Sequence, residues 1–220
     1  MERNCNLNEI TDGRFYDLND MVKVGCGDCK DCYACCQGMG SSIVLDPYDV
    51  YRLTNDLDTT FEQLLQSNLE LNVVEGFILP NLKMSGEKEC CSFLNEEGRC
   101  SIHKSRPSIC RIFPLGRIYE NKTYQYILQV NECKKSNRTK VKLSKWIDTP
   151  NQQKNKEFIT EWHYFKKSVM KAISANPEQA KGINMLLLNT FYVTPYNKND
   201  DFYSQFKLRL SAVKQQIPFL

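Results

Sequence analysis

Histidine is scarce in this chain: two in 220 residues, His103 and His163. That scarcity excludes a good deal. Mixed Cys/His zinc fingers need histidine ligands, and a cysteine hydrolase needs a histidine base held beside its thiol. Only His103 lies among the cysteines, and it reads as a surface or packing residue. His163 falls on a helical stretch and is not expected to be a ligand. Long apolar runs are missing too. The most apolar segment, INMLLLNTFYV from Ile183 to Val193, is well short of the roughly 20 residues a membrane helix needs. The first twenty residues are polar and acidic with no apolar h-region, so no secretory signal is expected. A cytoplasmic location and no membrane partner are the resulting expectations. Charge of one sign is also lacking. The formal net charge is +3, so composition gives no reason to expect a nucleic-acid partner. There are no internal repeats.

What is abundant is cysteine, with eleven residues, five of them between Cys26 and Cys36 in GCGDCKDCYACCQGMGSS. In a reducing compartment these are not expected to form structural disulfides. Scattered cysteines can be small buried hydrophobes, which would explain Cys5 or Cys90. Five in one Gly- and Asp-rich segment need another reason. The others, Cys90, Cys91, Cys100, Cys110 and Cys133, all lie in the first two thirds of the chain. That segregation favours one cysteine-built site, and thiolates suit zinc or iron–sulfur clusters.

The spacing leaves alternatives open. Cys29, Cys32, Cys35 and Cys36 read C-x2-C-x2-C-C, whereas Cys26, Cys29, Cys32 and Cys36 read C-x2-C-x2-C-x3-C, the bacterial ferredoxin spacing. The proline that usually follows that run is replaced by Gln37, and a lone ferredoxin loop would leave the later cysteines without a role. On a helix, adjacent thiols such as Cys35 and Cys36 point about 100° apart. Two centres, or one centre plus a further thiol, fit better than both on one metal.

Around these cysteines the pattern predicts short elements. Asp46 and Pro47 form a helix start. Thr59 and Glu62 have capping-box spacing for a second helix carrying Phe61, Leu64, Leu65 and Leu69 on one face. VVEGFILP reads as a strand, and CSFLNEEGRCSIH as a hairpin turning near Gly98. The proline-bounded RPSICRIFP has room for one helical turn. Two strands should meet at Asn121-Lys122, with Tyr124, Tyr126, Leu128 and Val130 on one face. Beyond Cys133 comes a basic run, Lys134 to Lys145, read as a solvated connector. A long helix follows, with Phe158, Trp162, Phe165, Val169 and Ile173 in a stripe, and then two more helices. The expected fold is α+β: a small cysteine-rich, metal-centred domain over 1–148 and a helical extension over 149–220.

The C-x2-C-x2-C-C run, followed by CSFLNEEGRCSIHKSRPSICRIFP, resembles the CxxCxxCC cysteine-cluster family, also called YkgJ-like or flagellin N-methylase-like, described as a zinc- or iron-chelating domain. The resemblance covers roughly Cys26 to Cys133. It places the family's eight cysteines on Cys29, Cys32, Cys35, Cys36, Cys91, Cys100, Cys110 and Cys133, with Cys5, Cys26 and Cys90 as extras. It implies a bound metal, and an iron–sulfur cluster (of the 4Fe–4S type) before zinc. More weakly it implies S-adenosylmethionine-dependent methylation of protein lysine, and so a protein substrate or partner. A structural zinc module is the third reading. The chain has no C-x3-C-x2-C run and no G-x-G-x-x-G after a strand, and no catalytic residue is assigned. Arg106 and Arg111 flank Cys110 and are candidate cations for offsetting thiolate charge and tuning a cluster. GMGSS reads as a tight turn.

Overall fold

A computed structural model describes residues 6–27, 29 and 32–217. Cys5 lies outside the described residues. In chain order the elements are α1 (Leu7–Ile10), β1 (Thr11–Tyr16), β2 (Met21–Gly25), a 3-10 turn over Ala34–Cys36, α2 (Pro47–Asp56), α3 (Phe61–Ser67), β3 (Leu69–Val74) and β4 (Phe77–Leu82). There follow β5 (Met84–Ser85), β6 (Cys90–Cys91), α4 (Ser108–Ile112), β7 (Leu115–Glu120), β8 (Thr123–Gln129), β9 (Thr139–Lys142) and α5 (Leu143–Ile147). The C-terminal third holds α6 (Gln152–Ala175), α7 (Ala180–Leu188), which continues as a π turn to Val193, and α8 (Phe202–Gln216). The fold is α+β with a helical C-terminal region. Among the described residues no helix is long and apolar enough to cross a membrane.

The sheets are small and antiparallel. β1, β8 and β7 form the largest, in that order, while β2 pairs with β9, β3 with β4 and β5 with β6. The β7–β8 turn is at Asn121-Lys122, both at positive φ, as a two-residue hairpin with right-handed strand twist requires. Cross-strand pairs Leu115–Leu128, Arg117–Tyr126 and Tyr119–Tyr124 share one face of that hairpin. This face packs on α6: the Tyr119 ring stacks on His163, centroids 3.6 Å apart, and Lys156 Nζ sits 5.4 Å from the Tyr124 centroid. Val130 lies just past the strand.

Several local expectations shift. VVEGFILP is not one strand but the turn of a hairpin, with Glu75 and Gly76 at positive φ between β3 and β4. A glycine beside an acidic residue is a turn signal, and here it outweighed the apolar run. The capping box of α3 is Thr60 with Gln63, one residue later than Thr59 with Glu62; Thr59 instead hydrogen-bonds Gln63 Oε1 at 2.8 Å. Leu69 is buried from β3 rather than from the helix. The connector after Cys133 contributes a strand, β9, because Val141 and Thr139 can pair with β2.

The helical third packs through aromatics. Phe206 is fully buried, with ring centroids 4.7 Å from Phe158, 5.7 Å from Phe191 and 6.0 Å from Trp162. Phe158, Trp162, Phe165, Val169 and Ile173 all bury their side chains, so the stripe is packing, as its spacing implies. One continuous cluster of buried side chains runs from Tyr16 and Val22 to Val213 and Ile217.

Candidate metal centre

The described residues of the cysteine segment have little regular structure of their own, so the question is what holds them. After the 3-10 turn carrying Cys35 and Cys36, Gln37 bridges to Cys90 and Gly38 N–H donates to Glu89 O at 3.0 Å. Those bonds set Cys36 beside Cys91 of β6. Cys100 is fixed by its bridge to Leu94, part of a tight loop closed by Ser101 N–H to Phe93 O at 2.9 Å. This loop leans on the cysteine segment at Gly98. Its φ is +70°, and a Cβ there would sit 2.8 Å from the Tyr33 ring, so the position needs glycine twice over.

Cys110 is held from both ends of α4. On the N-terminal side, Ser108 N–H donates to Asp49 Oδ1 at 2.7 Å and Ser108 Oγ–H to Asp46 Oδ2 at 3.1 Å. Asp46 and Asp49 are the buried capping box of α2, so one carboxylate pair starts two helices. On the other side, buried Arg111 donates to the carbonyls of Lys104, Ile147 and Asp148, the last at 3.0 Å. Arg111 therefore braces the loop before α4 and does not line the cavity described next. Arg106 does line it, with Nη1 2.6 Å from His103 Nε2.

The thiols border two adjoining hollows. Cys29, Cys32, Cys35, Cys36, Cys91, Cys100 and Cys110 line a cavity of about 780 Å³. Cys26, Cys29, Cys32, Cys35 and Cys133 line a second hollow of about 30 Å³, closed by Phe113, Pro114 and Trp146. Each of the eight cysteines singled out from the sequence thus borders at least one hollow, and three border both. Of the extras, Cys26 joins them, its Sγ 3.5 Å from Cys29 Sγ. Cys90 borders neither; its Sγ accepts from Gln37 Nε2 at 3.2 Å. Among the described residues the thiols line these walls without three of them closing on one point.

Their electrostatics follow from crowding. Burial pushes the Cys29 thiol up to about 12, with Cys26 and Cys35 adding to the shift and Arg106 opposing it. Burial likewise raises Cys91 and Cys100, and raises Cys110 well above the ordinary thiol range. Cys35 and Cys36 share a hydrogen bond. It lowers Cys35 to about 7 against burial, Arg106 assisting, and it pushes Cys36 up. The pair gives up one proton readily and resists losing the second. Buried sulfurs that oppose one another's ionisation want a cation among them. The donor set fits a soft metal, because the atoms gathered are nearly all sulfur.

Sequence reasoning missed the charged and polar residues that share the larger cavity with the thiols. Asp46, Arg117, Trp162 and Lys166 also line it. Two signals were available. Arg117 alternates with Leu115 and Tyr119 on the packed face of β7, and Lys166 lies four residues from Trp162 on α6. A charged residue on each apolar face is the trace of a lined cavity.

A family model described as CxxCxxCC, putative zinc- or iron-chelating domain, matches residues 28–138. No curated protein and no solved structure matches the chain.

Proposed function

The chain belongs to the CxxCxxCC family, a metal-chelating domain, and from that premise we propose that it carries an iron–sulfur cluster on Cys29, Cys32, Cys35, Cys36, Cys91, Cys100, Cys110 and Cys133. One observation carries the reading. Thiols from segments far apart in sequence border adjoining hollows of a single wall. The donors exceed the four thiolates that one tetrahedral zinc or one cluster takes; both histidines also line the larger cavity, but His103 is paired with Arg106 and His163 is stacked on Tyr119, so the set on offer is cysteine. Iron–sulfur chemistry uses such cysteine-only sets. The inner thiols, Cys36, Cys91, Cys100 and Cys110, and the outer ones, Cys29, Cys32 and Cys133, would be two groups meeting at Cys35, with Cys26 available to the outer group.

Arg106 would offset thiolate charge at the cavity wall, since it favours the ionised forms of Cys29, Cys35 and Cys100. Arg111 would act at one remove, by holding the Lys104 carbonyl and so the loop that places Arg106. When bound, the cluster supplies one-electron chemistry, and the protein sets its accessibility and nearby charge.

Anaerobic purification should give a coloured protein with iron and acid-labile sulfide in comparable amounts. Cys36→Ser and Cys110→Ser should lower both. A colourless protein holding stoichiometric zinc would replace this reading with a structural zinc module. A second reading, an S-adenosylmethionine-dependent protein-lysine methylase, draws on the room beside the thiols. Saturable S-adenosylmethionine binding in a calorimeter would raise it.

A further inference from the structure

The cavity is larger than a metal centre needs. About 780 Å³ falls within the range of sites for drug-sized ligands, roughly 300–1,000 Å³. Thiols occupy one end. The middle wall is aliphatic, including Ile43, Leu45, Leu82, Leu115, Ile127 and Ile159. The cavity's inner end, at Arg117, Trp162 and Lys166 beside Asp46, brings hydrogen-bond donors to the same lining.

Three donors stand out there. The Arg117 guanidinium lies 5.3 and 5.9 Å from the Tyr124 and Tyr126 ring centroids and hydrogen-bonds the Tyr119 side chain, but its Nε is buried with no hydrogen-bond partner. Trp162 is 2% exposed, lines the cavity, and its Nε1–H is also without a partner. Lys166 is the third, projecting from α6 one turn beyond Trp162. Such donors cost about 1–3 kcal/mol each when nothing accepts from them.

The acidic neighbour does not fill that role. Asp46 borders the cavity, but its Oδ1 takes the Asp49 N–H at 2.9 Å and its Oδ2 the Ser108 hydroxyl at 3.1 Å. Asp49 lies behind it, outside the lining. Burial pushes Lys166 down and Asp46 up, each toward its neutral form, so Arg117 is the cation that persists in this mostly apolar space, with Lys166 as a further donor beside it. An acceptor-only, singly charged group would match both the charge and the donors.

We infer that the inner end of the cavity binds a small organic carboxylate with an apolar body, its oxygens held by Arg117, Lys166 and the Trp162 Nε1–H, its body lying along the aliphatic wall toward the thiols. S-adenosylmethionine fits this end poorly, because its carboxylate would bring the ammonium on the adjacent carbon, and the sulfonium, in beside Arg117 and Lys166. A phosphate monoester carries more negative charge than the surplus here. The inference does not depend on which metal the thiols take, since none of its donors is a thiol.

The probe is decanoate, titrated by calorimetry into the full metal-loaded chain, with decanol and decyl phosphate as comparators of equal apolar length. Decanoate should bind saturably and at least about tenfold more tightly than either comparator. Arg117→Met and Lys166→Met should each remove about that factor, while Arg117→Lys, which keeps the charge, should restore most of it. Metal content and thermal midpoint, measured on every variant, separate loss of the ligand site from loss of the metal centre. If Arg117→Met does not fold, Lys166→Met with Arg117→Lys decides. Decanoate binding no tighter than decanol, preference for decyl phosphate, or equal decanoate affinity in wild type and Lys166→Met would each overturn the inference.

Discussion

The cysteine wall and the helical third hold themselves in shape by different means. Among the described residues from Cys26 to Cys110, excluding the α2–β4 stretch, regular structure is reduced to one 3-10 turn, a two-residue β ladder, isolated bridges and one five-residue helix. Its cysteines are mostly half-buried and line the two adjoining hollows. The helical third is the reverse. Phe191, Phe206 and Leu187 are fully buried, and ring meets ring at 4.7–6.3 Å across three helices. Burial of apolar surface stabilises the second region, with Tyr48, Phe61 and Phe77 from earlier in the chain joining its rings. The first has too little such surface, and what it presents inward is sulfur. One region is closed by packing; under the proposed function the other is closed by what it binds.

Removing the metal tests that contrast with the largest effect. Binding energy at a structural thiolate site is folding energy, on the order of 10 kcal/mol for zinc-finger peptides. Anaerobic chelation should therefore raise amide exchange strongly over 32–36 and 90–110, while α6 and α8 keep their protection. Loss of protection in both regions together would show that the helices are not independently secured.

The converse perturbation comes next in size. Phe206 has no exposed surface and touches four other rings. Phe206→Ala should cost about 3–5 kcal/mol as lost burial plus a cavity, a fall in the thermal midpoint of about 10 °C for a chain of this size. The metal-to-protein ratio of the folded fraction should not change. A parallel fall in that ratio below the melting range would mean the two regions are one cooperative unit.

The same division explains what the sequence disclosed. The stripe on α6 was legible because 3.6-residue spacing maps directly onto a buried face, and the start of α2 because Asp46 and Pro47 are local signals. The candidate cysteines were legible as a set, since their number and segregation need no structure to notice. Which hollow each borders was not. That depends on the Gln37–Cys90 bridge and on Ser108 reaching back 59 residues to Asp49, contacts with no local trace. Arg117 and Lys166 escaped for a related reason: each sits among apolar residues as an exception, and only the facing of β7 on α6 brings the two exceptions to one cavity.

The smallest effect is expected where the two regions are tied, at Asp49. Burial, and then the Asp46 carboxylate, push the Asp49 carboxyl well above its ordinary value of 3.8, with the N–H groups of Asp46 and Ser108 and the Arg117 charge opposing. A folded-state value above the unfolded one means the fold holds this proton more tightly than the open chain does. Its stabilisation is therefore complete below pH 3.8 and is lost as the pH rises toward the folded value. Asp49→Asn removes that titration while keeping an oxygen that can accept from Ser108 N–H. From a common value below about pH 4 the wild type should lose stability as the pH rises and the variant should lose less, so at neutral pH the variant should be slightly the more stable of the two, with iron content followed at each pH to exclude metal loss. A large destabilisation at neutral pH with the wild-type slope intact would mean Asp49 is ionised in the fold, and that the tie between α2 and α4 is a charged cap rather than a shared proton.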